Sequence, residues 1–299
     1  MQAPIGPATT AELVAAVTRA GALGTLAASW TPLDALRRAV ADVRGQTSQP
    51  FCVNLVLAFE QRERLEAALE LGVPVISFSW GVDPQLIELA CAGSAFVLVQ
   101  VGDPEGAVAA EAAGADAVVV QGLEAGGHVE AKRSLIEALV ATRERVAVPL
   151  IAAGGIGDAH AARDALAAGA DAVACGTAFL AAEEADVPSE YLDRLVRASA
   201  GDSVLTVAFD GGWPDAPHRV LRNSTLTEWE HAGRPRARRP GEDDVVAHRK
   251  GVPIRRYDDA QPTTSTTGGI EAMALYAGTS VDAVVRREPA AVIVDRICP

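Results

Sequence analysis

Apolar residues follow two alternating rhythms along the first 180 residues. Alanine-rich segments with apolar positions on one face give way, across a glycine, to short unbroken apolar runs. Ala113–Val120 reads AGADAVVV and Ala168–Cys175 reads AGADAVAC. Looser copies stand at Ala20–Leu26 (AGALGTL), Leu71–Ser77 (LGVPVIS) and Ala92–Val99 (AGSAFVLV). The amphipathic segments predict helices, and the glycines suit helix C-caps, which need positive φ. The runs lack polar alternation, as expected of parallel strands covered on both faces. Strands are predicted at Gln2–Ile5, Gly24–Ala27, Phe51–Leu55, Val73–Ser77, Phe96–Val101, Ala117–Val120, Pro149–Ala152 and Ala172–Cys175. Helices fall between them, at Thr10–Ala20, Pro32–Arg44, Gln61–Leu71, Pro84–Cys91, Pro104–Ala113 and Asp158–Ala168. Eight such βα units predict an α/β fold, a closed (β/α)8 TIM barrel over residues 1–184. An open doubly wound sheet is the alternative, but no G-x-G-x-x-G follows the first strand.

Beyond residue 184 the rhythm weakens. Gly201–Pro217 reads as strand and turn, Leu226–His231 as helix, and Gln261–Gly269 (QPTTSTTGG) as a mobile linker or loop. Arg234–Arg239 is basic and Glu242–Asp244 acidic, read as solvated charged faces. Ile270–Val285 returns to helical spacing. Residues 185–299 are therefore expected to form a smaller, mainly helical C-terminal domain or cap, with a tail returning to the barrel.

Composition narrows the function. A net charge of −13 and a pI near 4.8 offer no broad basic surface, so nucleic acid is not expected as a partner. No uncharged apolar run reaches the ~18 residues a membrane span needs, and the N-terminus lacks a signal-peptide pattern, so a cytoplasmic protein without a membrane partner is expected. The four cysteines are widely spaced, which suggests buried free thiols rather than a disulfide framework or a metal site; no metal is expected.

A barrel carries its chemistry at the C-terminal ends of its strands. Gly154-Gly155 and Gly176-Thr177 follow the last two predicted strands, where barrels bind phosphate through free N–H groups and a helix dipole. They point to a phosphorylated ligand; service in tight βα turns is the alternative. After the sixth strand comes Gln121–Glu130, QGLEAGGHVE. Its glycines let the loop lie flat at the barrel mouth and carry His128 into the site as a base or anion-binding group. His160, His218, His231 and His248 read as ordinary solvated or packed residues. Trp30, Trp80 and Tyr276 could shape the pocket.

The phrases QGLEAGGH, IAAGGI and GTAFL together resemble the nitronate monooxygenase family, formerly 2-nitropropane dioxygenases. The opening QAPIGPATTAELVAAVTRAGALGTL, FCVNL at 51–55, FSWG at 78–81 and ALYAG at 274–278 are similar to that family too. The resemblance implies a TIM barrel holding FMN without a covalent bond. Ala3, Pro4 and Ile5 would border the flavin, Asn54, Gln121, Gly126 and Gly155 would contact it, and Gly176 and Thr177 would take its phosphate. His128 would be the catalytic base for neutral nitroalkanes, with Trp80 and Tyr276 on the substrate. The implied reaction oxidises alkyl nitronates with O2 to carbonyl compounds and nitrite, so the expected partners are a small-molecule substrate and O2, with a homodimer as the one assembly considered. Where the family usually has methionine after the first Ala-Pro this chain has Ile5, and where it has Ala-Gly-Gln this chain has Ala277-Gly278-Thr279. An FMN-dependent NAD(P)H:quinone or enoyl-thioester reductase, and a ligand-binding barrel without FMN, are the other readings.

Overall fold

The computed structural model describes residues 1–298. Eight strands are set in the first part of the chain: β1 (Thr25–Ala27), β2 (Cys52–Val56), β3 (Val75–Ser79), β4 (Phe96–Val101), β5 (Ala117–Gln121), the two-residue β6 (Gly127–His128), β7 (Leu150–Ala153) and β8 (Ala172–Ala174). All but β6 form one parallel sheet in the order β1-β2-β3-β4-β5-β7-β8. Every residue of β2, β3 and β5 is buried, which explains the missing alternation in their sequences.

Predicted strand Gln2–Ile5 does not form as such. Only Gln2 makes a bridge, parallel to Cys175. Its N–H donates to the Leu23 carbonyl at 2.9 Å, the Ala3 N–H to Cys175 at 2.9 Å, and the Gln2 Oε1 accepts the Thr25 N–H at 2.8 Å. Residues 1–3 thus stand between β8 and β1 and link the two ends of the curled sheet. Pro4 then removes a donor and Gly6, at φ +56°, turns the chain into a short 3-10 turn, so no ladder continues.

Six helices lie where the sequence puts them, within two residues: α1 (Ala11–Arg19), α2 (Leu33–Gln46), α3 (Arg62–Glu70), α4 (Pro84–Ala92), α5 (Pro104–Ala112) and α7 (Ala159–Ala167); α6 (Leu135–Arg143), opened by a Ser134–Glu137 capping box, is an addition to those expected. Asp83, Asp103 and Asp158 cap α4, α5 and α7 with their side chains, and proline follows the first two caps. Gly114 and Gly169, the glycines of the near-repeat, sit at φ +99° and +104° just past α5 and α7.

The rest of the chain holds α8 (Ser189–Arg197), α9 (Ser224–His231) and α10 (Ala290–Ile297), but also β9 (Ser203–Thr206), β10 (His218–Leu221), β11 (Val245–Arg249), β12 (Val252–Arg255) and β13 (Thr266–Gly268). These strands make two three-stranded antiparallel sheets, β6-β10-β9 and β12-β11-β13, so this part is mixed rather than mainly helical. Helix α10 packs against α1 and α7 on the outside of the parallel sheet. Two sequence expectations fail here. Ile270–Val285 is not a helix but two 3-10 turns, Ile270–Ala272 and Thr279–Ala283; its apolar spacing records burial on several sides, not a helical face. Gln261–Gly269 is not a mobile linker. Gln261, Thr263 and Thr266 are buried, the Thr263 N–H donates to the Thr266 hydroxyl at 3.0 Å, and β13 lies inside the segment. Arg239, read as part of a solvated face, has a nearly buried side chain that pairs with Asp210 and Glu242 and lies over the Tyr257 ring. All four cysteines are free; Cys52 and Cys175 are buried, but Cys91 and Cys298 are exposed. No helix among the described residues is long and apolar enough to cross a membrane.

Candidate active site

The loop after β5 is fixed from three directions. Gln121, buried at the strand end, folds its own loop back: its Nε2 donates to the His128 carbonyl at 3.0 Å and its Oε1 accepts the Glu130 N–H at 2.7 Å. Arg219 on β10 donates from Nε and Nη2 to the Leu123 carbonyl at 3.0 and 2.7 Å, and from Nη1 to Ser203. The loop also presses on the chain's later segment. A Cβ on Gly126 would lie 2.4 Å from the Gly278 nitrogen, so only glycine fits, and Gly127 takes φ +77°. The result is β6, whose His128 stands directly opposite His218 of β10.

His128 sits among aromatic rings. Trp213 stacks on it at 4.5 Å between centroids, with Tyr276, His218 and Trp80 at 5.6, 5.4 and 6.1 Å. Its Nε2 is buried without a hydrogen-bond partner among the described residues. Burial, and secondarily the nearby His218, lowers its pKa to about 3, so the imidazole is neutral at physiological pH. Burial also lowers the pKa of His218, against the raising effect of the Ala216 carbonyl. Its Nδ1 donates to the Ala216 carbonyl at 2.9 Å and its Nε2 accepts the Phe209 N–H at 3.2 Å, which fixes one tautomer. His218 packs the wall; His128 keeps a free lone pair.

Glu130 is a site group that sequence reading passed over. Its Oε1 accepts the Trp80 N–H at 2.8 Å and the Gln100 Nε2 at 3.2 Å, joining the ends of β3, β4 and β5. Burial pushes its pKa up to about 7 against the lowering effect of those donors. The bond to Trp80 also holds that residue at φ +60°, an uncommon backbone for a bulky side chain. The only sequence signal was a glutamate ending a glycine loop.

A second group of predicted residues converges on the loops after β7 and β8. Gly154 and Gly155 take φ +120° and +69°. A Cβ on Gly176 would lie 3.4 Å from the Ile5 Cγ2 and 3.8 Å from the Ala3 Cβ, so the half-buried Ala3, Pro4 and Ile5 stretch borders this loop. A Cβ on Gly155 would lie 3.4 Å from the Thr279 hydroxyl. The Thr177 hydroxyl accepts the Gly278 N–H at 2.9 Å and keeps its own proton for an acceptor. No acceptor among the described residues takes the backbone N–H of Gly155, Gly176 or Thr177. Asn54 is buried in the middle of β2, where its Nδ2 donates to the Ser77 carbonyl and hydroxyl at 3.2 and 3.3 Å. Tyr276 offers only its ring, because its hydroxyl donates to the Asp259 carbonyl at 2.8 Å. Gln121 and Gly126 stand in the loop that connects the two groups. His160 lies apart, exposed on α7 beside Asp164.

The family described as nitronate monooxygenase matches this chain over residues 1–299. The chain belongs to this family. A curated nitronate monooxygenase from Pseudomonas aeruginosa is 35% identical over 263 residues, covering 71% of this chain and 74% of its own length. A solved nitroalkane oxidase from Streptomyces ansochromogenes is 30% identical with a TM-score of 0.78, covering 99% of this chain and 93% of that one. A curated relative from Mycobacterium tuberculosis, named (3aS,4S,5R,7aS)-5-hydroxy-7a-methyl-1-oxo-octahydro-1H-indene-4-carboxyl-CoA dehydrogenase, is 36% identical over 239 residues, 79% of this chain. The chain spans 66% of that relative's length, just under two thirds.

Nitronate monooxygenase family members are flavin-dependent oxidoreductases. The residues present fit FMN: positive-φ glycines and unclaimed N–H groups with the Thr177 hydroxyl suit a phosphate.

Proposed function

We propose that this chain is an FMN-dependent nitronate monooxygenase that oxidises alkyl nitronates with O2 to carbonyl compounds and nitrite. One observation carries the reading: a half-buried, neutral His128 on β6, in the loop after β5, with a buried, unpartnered Nε2 walled by aromatic rings. FMN, bound by Gly155, Gly176 and Thr177 at its phosphate and bordered by Ala3, Pro4, Ile5, Asn54, Gln121 and Gly126, supplies the electron acceptance and oxygen chemistry. The protein's part is to hold and orient substrate. With a neutral nitroalkane, Nε2 of His128 accepts the proton from the carbon bearing the nitro group; burial disfavours the resulting imidazolium, so the nitronate anion formed beside it must offset that cost. With a nitronate, already an anion, His128 donates a hydrogen bond instead. Trp80 and Tyr276 hold the substrate's carbon skeleton through their rings. Oxygen uptake by FMN-loaded protein with an alkyl nitronate, without NAD(P)H, tests this. Rapid uptake with nitrite release is the expected result; none from a folded, yellow protein would overturn it.

The relative named as a carboxyl-CoA dehydrogenase favours a second reading, an FMN-dependent oxidoreductase acting on thioesters or quinones with NAD(P)H. Rapid bleaching of the flavin by NADH, with nitronates inert, would select it.

A further inference from the structure

The chain has only 13 aromatic side chains of Phe, Trp and Tyr type, yet three of its four tryptophans gather at one place. Trp30 follows β1, Phe59 follows β2 and Trp80 follows β3, so three successive strand ends each place an aromatic ring at the barrel mouth. Trp213 reaches them from the β9–β10 connection. Trp30 meets Phe59 at 5.4 Å and Trp213 at 6.5 Å, Phe59 meets Trp213 at 5.1 Å, and Trp213 meets Trp80 at 4.5 Å. Trp213 then stacks on His128. The rings form one continuous apolar track from solvent to the imidazole.

Core packing does not account for the track. The barrel interior is filled by aliphatic and small side chains, and Trp30 remains 58% exposed. An exposed indole at the outer end of a track that ends on His128 buries further area only when something apolar lies against it. The inner end of the track is the His128 imidazole, so a molecule lying along the rings reaches that group.

We propose that Trp30, Phe59, Trp80 and Trp213 form the subsite for the substrate's hydrocarbon part, and that it selects a ring-bearing or branched apolar skeleton over a methyl- or ethyl-sized one. The proposal rests on the functional reading only in placing the reacting carbon beside His128. Edge-to-face and stacked rings give flat or alicyclic groups large contact at little entropic cost. Trp213, at the junction with His128, sets how close a bulky group can approach.

The test uses full-length, FMN-loaded protein and two readouts. Dissociation constants of propionate and cyclohexanecarboxylate are read from perturbation of the flavin absorbance, which needs no turnover. The kcat/KM ratio is then measured for the nitronates of nitrocyclohexane and 2-nitropropane. The wild type is expected to prefer the cyclohexyl compound about tenfold or more in both, and Trp30→Ala to erase most of that preference. Trp30 is exposed, so its replacement does not depend on whether Trp213→Ala folds. Phe96→Ala, which removes an exposed aromatic at the opposite end of β4, should keep the wild-type ratio. No size preference in the wild type, or a preference untouched by Trp30→Ala, would overturn the subsite. A binding preference without nitronate turnover would sink the monooxygenase reading and leave the subsite standing; turnover without preference would do the reverse.

Discussion

At the scale of single residues, the site depends on where burial leaves protons. His128 is held neutral by burial, with its pKa lowered to about 3, so it enters the reaction unprotonated but as a weaker base than free imidazole. His128→Asn should lower kcat for neutral nitroalkanes by about 10²–10⁴-fold, the usual worth of a positioned base, while nitronates lose far less. Steady-state kinetics on one nitroalkane and its nitronate, side by side, checks this. Glu130 behaves in the opposite sense. Its pKa rises from an ordinary 4.5 to about 7, so its contribution to stability is complete below about pH 4.5 and is lost as pH rises through 7. Urea midpoints of wild type and Glu130→Gln at pH 5 and pH 7.5 should therefore diverge: the wild type weakens toward pH 7.5 relative to the variant. Of these two groups only His128 was legible in the sequence, because histidine in a glycine loop is conspicuous. Glu130 and Trp213 were not, since their importance comes from Trp80, Gln100 and His128 meeting them in space.

At the scale of elements, six helices and seven strands of the parallel sheet are readable within about two residues, because Asp-Pro caps, C-cap glycines and unbroken apolar runs are local signals, whereas Gln2–Ile5 and α6 are not. The errors fall where long-range contacts decide. Ile270–Val285 has helical spacing but lies against β10 and the loop after β5, with Gly278 opposed to Gly126. That opposition yields a prediction. Gly126→Ala places a methyl 2.4 Å from the Gly278 nitrogen and should cost about 1–3 kcal/mol in chemical denaturation, with FMN affinity falling as the loop shifts.

At the scale of the whole molecule, one ligand should register in global stability. FMN that binds only the folded chain adds about 2.7 kcal/mol at a hundredfold excess over Kd. Thermal unfolding should therefore rise with FMN concentration. Riboflavin, which lacks the phosphate, should give much less, and Thr177→Val should narrow the difference between the two. Equal shifts from FMN and riboflavin would remove the phosphate role assigned to Gly155, Gly176 and Thr177. The net charge carries no sign of that proposed arrangement; the expectation rests on the glycine pairs alone.

The pairing of His128 with His218 also has a meaning in time. A ribosome adds about 5–20 residues per second, so the 90 positions from 128 to 218 separate the two by about 5–18 seconds. During that interval the strands through β8 are made, but the loop bearing the histidine still lacks Arg219 and the paired strand β10. The glycine loops after β7 and β8 are synthesised before the imidazole acquires its walls, and Gly278, which seats Gly126, comes later still. A nascent chain therefore carries the curled parallel sheet before it carries the finished surroundings of His128.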